Sequence, residues 1–237
     1  MLHISKVLLI IVVFISSCTP SQNDTSGAVN DTEFREILTE NTLNEWSWNP
    51  EHWKFEDGIL TGETTPNNII IEHSFFVWDE GITKDFELKL EYKISPRGNS
   101  GINYRSERIQ DKEFVLRGYQ ADLDGANEYT GQLYEDKGRA FLARRGQMTY
   151  IDPSNKVVES GSLGVEEELL SLINEEDWNS YHIIARDNIL IHSINGRIMS
   201  VAVDDGSGSK KEGLLGFQLH LGPPMKVQFR DILFKEL

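Results

Sequence analysis

"DFELKLEYKI", residues 85–94, decides the fold class. Phe86, Leu88, Leu90, Tyr92 and Ile94 alternate with Glu87, Lys89, Glu91 and Lys93. In an extended chain a period of two puts the first set on one face and the second on the other. An apolar face backed by a charged one marks an antiparallel strand, dry inside and wet outside. The period recurs in "SYHIIARDNILIHSINGRIMSVAV" (180–203), where turns at 186–188 and at Asn195-Gly196 divide three strands. Both residues of the second turn tolerate positive φ, a strong hairpin signal. "HWKFEDGILTG" (52–62) gives two strands about a tight Asp57-Gly58 turn, and "GLLGFQLH" and "KVQFRDILFKEL" give two more near the end.

Helical signals are few. "DTEFREILTE" (31–40) predicts a short turn ahead of the domain. "GVEEELLSLINEED" (164–177) gathers Leu169, Leu170, Leu172 and Ile173 against an acidic side, which predicts a short amphipathic helix between strands. Many short strands with Gly-rich turns predict an all-β, concanavalin-like jelly-roll β-sandwich with that one short inserted helix.

The chain opens with Lys6, an apolar run from Val7 to Ile15, and "SSCTP". A basic residue, a short apolar core and small residues form a secretory leader too short to span a bilayer. Ile15-Ser16-Ser17-Cys18 resembles the bacterial lipobox, where the leader is cut before a cysteine that then carries lipid. Residues 1–17 are thus expected to be a signal peptide and Cys18 the lipidation site. Polar residues 18–34 would be a flexible tether and residues 35–237 the folded domain. Cys18 is the only cysteine, so the domain has no disulfide. The expected location is the bacterial envelope, anchored by lipid in the outer membrane and facing the periplasm. Losing residues 1–17 removes Lys6 and no acid, leaving 22 basic against 38 acidic residues, a balance of −16. That charge repels nucleic acid and anionic membranes, so contact with a membrane is expected only through the lipid.

The outward faces of four strands are unusual. "GINYR" offers Asn103 and Arg105, "GYQADLD" (118–124) offers Gln120, Asp122 and Asp124, "TGQLYED" (130–136) offers Gln132 and Tyr134, and "GFQLHLG" (216–222) offers Gln218 and His220. In the last of these Phe217, Leu219 and Leu221 would face the core. Water-facing strands usually carry Lys, Glu and Thr. Amides, an arginine, a tyrosine and carboxylates are what a hydroxyl-rich ligand needs. The concave side of a curved jelly roll would gather them into one groove.

"WKFEDGILTG", "RGNSGINYRS", "RGYQADLDGANEYTGQLYEDKGRAFLARRG", "EEDWNSYHIIARDNILIHSINGR" and "GLLGFQLHLGPPMKVQFRDILFKEL" follow one another over residues 35–237. Together they resemble the 3-keto-disaccharide hydrolase family of secreted bacterial proteins. The resemblance implies a concanavalin-type jelly roll acting on glycosides whose C3 hydroxyl is already a ketone. One departure matters: many members read Gly-Tyr-Glu with a Gln two residues on, whereas this chain has Gln120 and Asp122.

A C3 ketone acidifies the C2 hydrogen, so a base can form an enolate that expels the C1 substituent. Water can then add back to the glucal, and the sum equals hydrolysis. Such a site needs a base, donors for the enolate oxygen and an acid for the leaving oxygen. Asp122 or Asp124 is expected as base or metal ligand, with Arg105 and His220 stabilising the enolate or acting as acid. Asn103, Tyr119, Gln120, Tyr134 and Gln218 would position the sugar. Of the arginines in "GRAFLARR", expected on a loop at the groove edge, Arg139 is the one to reach ligand, unless an ion pair with the acidic helix takes it. No motif demands a cofactor, but Asp122 and Asp124 with Gln120 and His220 could hold Ca²⁺ or Mg²⁺.

Other readings compete. A non-catalytic, lectin-like protein would rely on Trp46, Trp48, Trp53, Trp78 or Trp178 for stacking on sugar rings, although Trp53 and Trp178 are expected in the core. A retaining glycosidase of concanavalin type would carry Glu-x-Asp-x-x-Glu, which is absent. A purely structural envelope protein would leave the patterned polar faces unexplained.

Overall fold

Residues 33–237 are described by a computed structural model. The leader, Cys18 and nearly all of the tether lie outside the described residues. Within them the alternation of residues 86–94 holds: Phe86, Leu88, Leu90, Tyr92 and Ile94 are buried, while the intervening charges are not.

The first strands are β1 (Arg35–Glu36), β2 (Trp46–Ser47), β3 (Trp53–Glu56), β4 (Ile59–Glu63), β5 (Ser74–Thr83) and β6 (Phe86–Ile94). Then come β7 (Asn99–Arg108), β8 (Leu116–Asp124), β9 (Leu133–Asp136), β10 (Ala140–Ala143), β11 (Gln147–Ile151) and β12 (Val157–Ser162). A helix, α1 (Glu166–Leu170), precedes β13 (Asn179–Arg186), β14 (Ile189–Ile194), β15 (Arg197–Asp204), β16 (Gly213–Leu219) and β17 (Lys226–Glu236). They form two sheets. One runs β12-β11-β15-β14-β13-β6-β17-β4-β3 with β1 added on β17, and the other β10-β9-β8-β7-β16-β5-β2. Every pairing is antiparallel except β11 with β15. Their facing sides bury one core, in which Trp46, Phe76, Trp78 and Phe217 meet as an aromatic cluster. This is the β-sandwich of a jelly roll.

Three local expectations are corrected and one is refined. Residues 35–36 are a strand on Leu233 and Phe234 rather than a turn, and Phe34 receives the Lys89 ammonium over its ring at 4.1 Å. The helix is shorter than its apolar pattern: only Leu169 and Ile173 are buried, and Leu172 is exposed. Within "GRAFLARR", Ala140–Ala143 forms the short strand β10, while Arg139, Arg144 and Arg145 lie outside it as expected. Leu221 stands in solvent, because β16 stops at Leu219 before the alternation reaches it.

Candidate active site

The seven-stranded sheet turns one face to the core, with Tyr119, Ala121 and Leu123 of β8 buried there. The other face carries the polar residues. Register brings Gly101 opposite Asp122 and Asn103 opposite Gln120. It also brings Gln120 opposite Tyr134 and Gln218 opposite Gly101. Gly101 has no side chain, so the Gln120 side chain lies across it; a Cβ there would sit 2.5 Å from Gln120. Gln218 Nε2 donates to Gln120 Oε1 at 3.1 Å, and Gln120 Nε2 donates to Asp122 Oδ1 at 2.5 Å. Two amides thus form a directed chain that ends on a carboxylate.

These residues floor a cleft of about 260 Å³. That is near the lower end of the ~300–1,000 Å³ usual for small-molecule sites. One wall is aromatic: Tyr134 meets Phe141 edge-on at 5.0 Å, and Tyr129 stacks on Phe141 at 5.9 Å. The opposite wall is His73 and His220, with ring centroids 4.2 Å apart. Asn99 and Asp136 complete the lining.

Burial dominates the electrostatics. It lifts Asp122 to about 8, more than the Gln120 hydrogen bond lowers it, and the charges of Asp124 and Asp136 push the same way. Burial also raises Asp136, but Lys137 and His220 pull it back. Burial lowers both imidazoles, His73 to about 4, so both are neutral at pH 7. One cleft therefore holds two carboxylates in different electrostatic settings, the arrangement that acid–base chemistry uses.

Of the residues singled out in the sequence, Gln120, Asp122, Tyr134, Gln218 and His220 line this cleft. Asp124 does not; it is buried beside them, and one carboxylate oxygen accepts the Tyr129 N–H at 3.3 Å. Asn103 is fully buried in the row next to Gln120, outside the lining.

Three residues lie elsewhere. Arg105 follows Tyr104 at a β-bulge with φ of 45°, which breaks the alternation shared with Asn103. Its buried guanidinium donates to the carbonyls of Lys84, Asp187 and Lys210 and to Asp85. Tyr119 alternates with Gln120, so it points between the sheets, where its hydroxyl donates to Asp204 at 2.5 Å. Arg139 is held by Glu135 and by Asp204, the latter at 2.7 Å. It is Arg145 that pairs with the helix, through Glu166 at 3.0 Å.

No tryptophan lines the cleft. Trp46, Trp53 and Trp78 are core residues, and Trp178 is half-buried beneath the Arg230 guanidinium. Among the described residues no three His, Cys, Asp or Glu side chains gather as metal ligands. The Gln120 amide also turns its nitrogen, not its oxygen, toward Asp122.

Sequence reasoning missed Asp136, Asn99, Tyr129, Phe141 and His73. Asp136 was within reach, since it continues the Gln132–Tyr134 alternation by one step. His73 ends a loop without periodicity, and nothing local marks it.

The model of the 3-keto-alpha-glucoside-1,2-lyase-like domain matches residues 33–235. No curated protein matches the sequence. Among solved structures, the chain is similar to a protein of Parabacteroides distasonis ATCC 8503 provisionally assigned as a glycosyl hydrolase. The two share 17% identity over 87% of this chain and 100% of that one, with a TM-score of 0.56. It is also similar to the carbohydrate-binding module CBM66 from Bacillus subtilis, at 14% identity over 81% and 96% of the two chains and a TM-score of 0.53. A Bacillus subtilis protein of unknown function with a galectin-like fold matches at 13% identity over 86% and 98%, with a TM-score of 0.55. At such identities the likeness is one of fold.

Proposed function

The chain belongs to the 3-keto-alpha-glucoside-1,2-lyase-like family, and from that premise we propose that it cleaves 3-keto-glycosides by elimination across C1 and C2. Asp136 takes the C2 proton, and the electron pair moves into the C3 carbonyl to form an enolate. When the ketone re-forms, C1 and C2 become doubly bonded and the C1–O bond breaks. Asp122 gives its proton to the departing oxygen, releasing the aglycone as an alcohol. Water adding across the new double bond makes the sum a hydrolysis.

The observation that carries this reading is a desolvated Asp122 in a cleft that also holds Asp136. A carboxyl raised to about 8 keeps its proton at pH 7 and can act as acid. Asp136, with Lys137 favouring its charge, serves as base. Gln120, Gln218 and Asn99 supply hydrogen bonds for sugar hydroxyls, and the Tyr134–Phe141 wall a surface for the ring's C–H face. An imidazole N–H of the histidine wall is the donor for the enolate oxygen. The lipobox-like stretch before Cys18 supports a lipid-anchored protein of the bacterial envelope.

The test is to incubate the purified protein with methyl 3-keto-glucoside and with its unoxidised parent. Cleavage of the keto compound alone is expected. Cleavage of both compounds would overturn the elimination route, and binding of both without turnover would make the protein a lectin.

A further inference from the structure

A second cleft, of about 330 Å³, adjoins the first and shares His73 with it. Its banks are residues 69–74 and 111–115. They are tied by an ion pair between Lys112 and Glu72, and by the Phe75 N–H donating to the Phe114 carbonyl at 2.9 Å. One bank presents bare hydrocarbon. Ile71 is 93% exposed, the most of any large apolar side chain among the described residues, and Ile69 is 57% exposed. Neighbouring apolar side chains left in water beside a ligand cleft mark a binding surface. The remaining charge is acidic, with Glu72, Asp111 and Glu113 against Lys112.

A glycoside divides into a sugar ring and a leaving group. The first cleft, with its amides, carboxylates and aromatic wall, suits the ring. Whatever leaves from C1 must extend beyond that small cleft, and His73 is the lining residue it has in common with another hollow. We infer that the second cleft is the leaving-group subsite and takes an uncharged, apolar aglycone. Its isoleucines cover the hydrocarbon, and its acidic bank turns away anionic groups. This rests on the elimination reading for which half of the ligand goes where.

The experiment compares hexyl with methyl 3-keto-glucoside, whose leaving alcohols are alike in acidity. Binding is measured by titration calorimetry on the full chain carrying Asp122→Asn, with and without Ile69→Ser/Ile71→Ser. Both isoleucines stand in solvent, and affinity for the methyl compound reports whether the first cleft survives. Hexyl is expected to bind about tenfold tighter than methyl, the gain from burying roughly two methylene groups. In the serine variant that advantage should vanish while methyl affinity stays. No hexyl advantage, one that persists in the serine variant, or no binding of either compound overturns the subsite. Turnover of methyl 3-keto-glucoside by the wild-type chain tests the catalytic reading separately, because methyl has nothing to place among the isoleucines.

Discussion

His73 and His220 face each other at 4.2 Å, and the backbone of Leu221 sets opposite tautomers on them. The Leu221 N–H donates to Nδ1 of His73 at 3.2 Å, so a neutral His73 carries its proton on Nε2. The Leu221 carbonyl accepts from Nδ1 of His220 at 2.5 Å, which leaves Nε2 of His220 bare. One ring wall thus offers both a donor and an acceptor without any charge.

The pair contributes stability that acid removes. Burial holds both imidazoles below the usual 6.5, and for His73 the facing ring and Lys137 add to it, down to about 4. The unfolded chain therefore takes up these protons first, and stability present above pH 6.5 drains away as pH falls toward 4. His73→Asn keeps an acceptor for the Leu221 N–H and removes one such site. The drop in Tm between pH 7 and pH 5 should shrink by about 2–4 °C, after discounting for partial exposure. An unchanged drop, followed by circular dichroism, would clear His73 of the effect.

Asp122 has the opposite sign. Its folded-state value near 8 lies above the unfolded 3.8, mainly through burial. The contribution of Asp122 to stability is therefore full below pH 3.8 and declines as pH rises toward 8. Asp122→Asn should stabilise the fold at pH 8, on the order of a few kcal/mol, since Gln120 keeps an oxygen to donate to. The same variant should lose turnover by about 10²–10⁴-fold. Full activity in it would remove Asp122 from the reaction.

The rate profile follows from the two carboxyls. kcat/KM for a 3-keto-glucoside should rise as Asp136 loses its proton, at a pH above the ordinary aspartate value, and fall above about 8 as Asp122 loses its own. A profile that climbs through pH 8 would exchange their roles and make Asp122 the base.

Strand alternation made most of the fold legible. The hairpins at Asp57-Gly58 and Asn195-Gly196 carry the positive φ their residue types predict. The same rule found Gln120, Asp122, Tyr134 and Gln218. It failed where the ladder itself breaks: the bulge after Tyr104 turns Arg105 toward loop carbonyls. Tyr119 was misplaced by residue type, since by alternation it lies opposite Gln120 and belongs to the core. His73 reaches the site through a hydrogen bond from Leu221, 148 residues along the chain, a relation that no local pattern encodes.

Arg105 is therefore expected to act on stability alone. Its side chain is 1% exposed and answers three carbonyls and Asp85. Arg105→Met should cost about 3 kcal/mol and lower Tm by roughly 6–12 °C. Below its own Tm the variant should keep kcat/KM within about twofold of wild type. A selective loss of kcat in folded protein would return Arg105 to the chemistry.

Gly101 gives the finest test of the amide chain. Its backbone needs no positive φ, so alanine is sterically open to the strand, yet a methyl group there would stand 2.5 Å from Gln120. Gln120 must then move, and both its bond from Gln218 and its bond to Asp122 weaken. Without the Gln120 donor, Asp122 loses the contact that favours its charged form, and its value should climb further. Gly101→Ala should therefore shift the alkaline limb of the rate profile upward and raise KM by about tenfold, the worth of one lost hydrogen bond to a sugar hydroxyl. An unmoved alkaline limb with wild-type KM would mean that Gln120 neither tunes Asp122 nor touches the sugar.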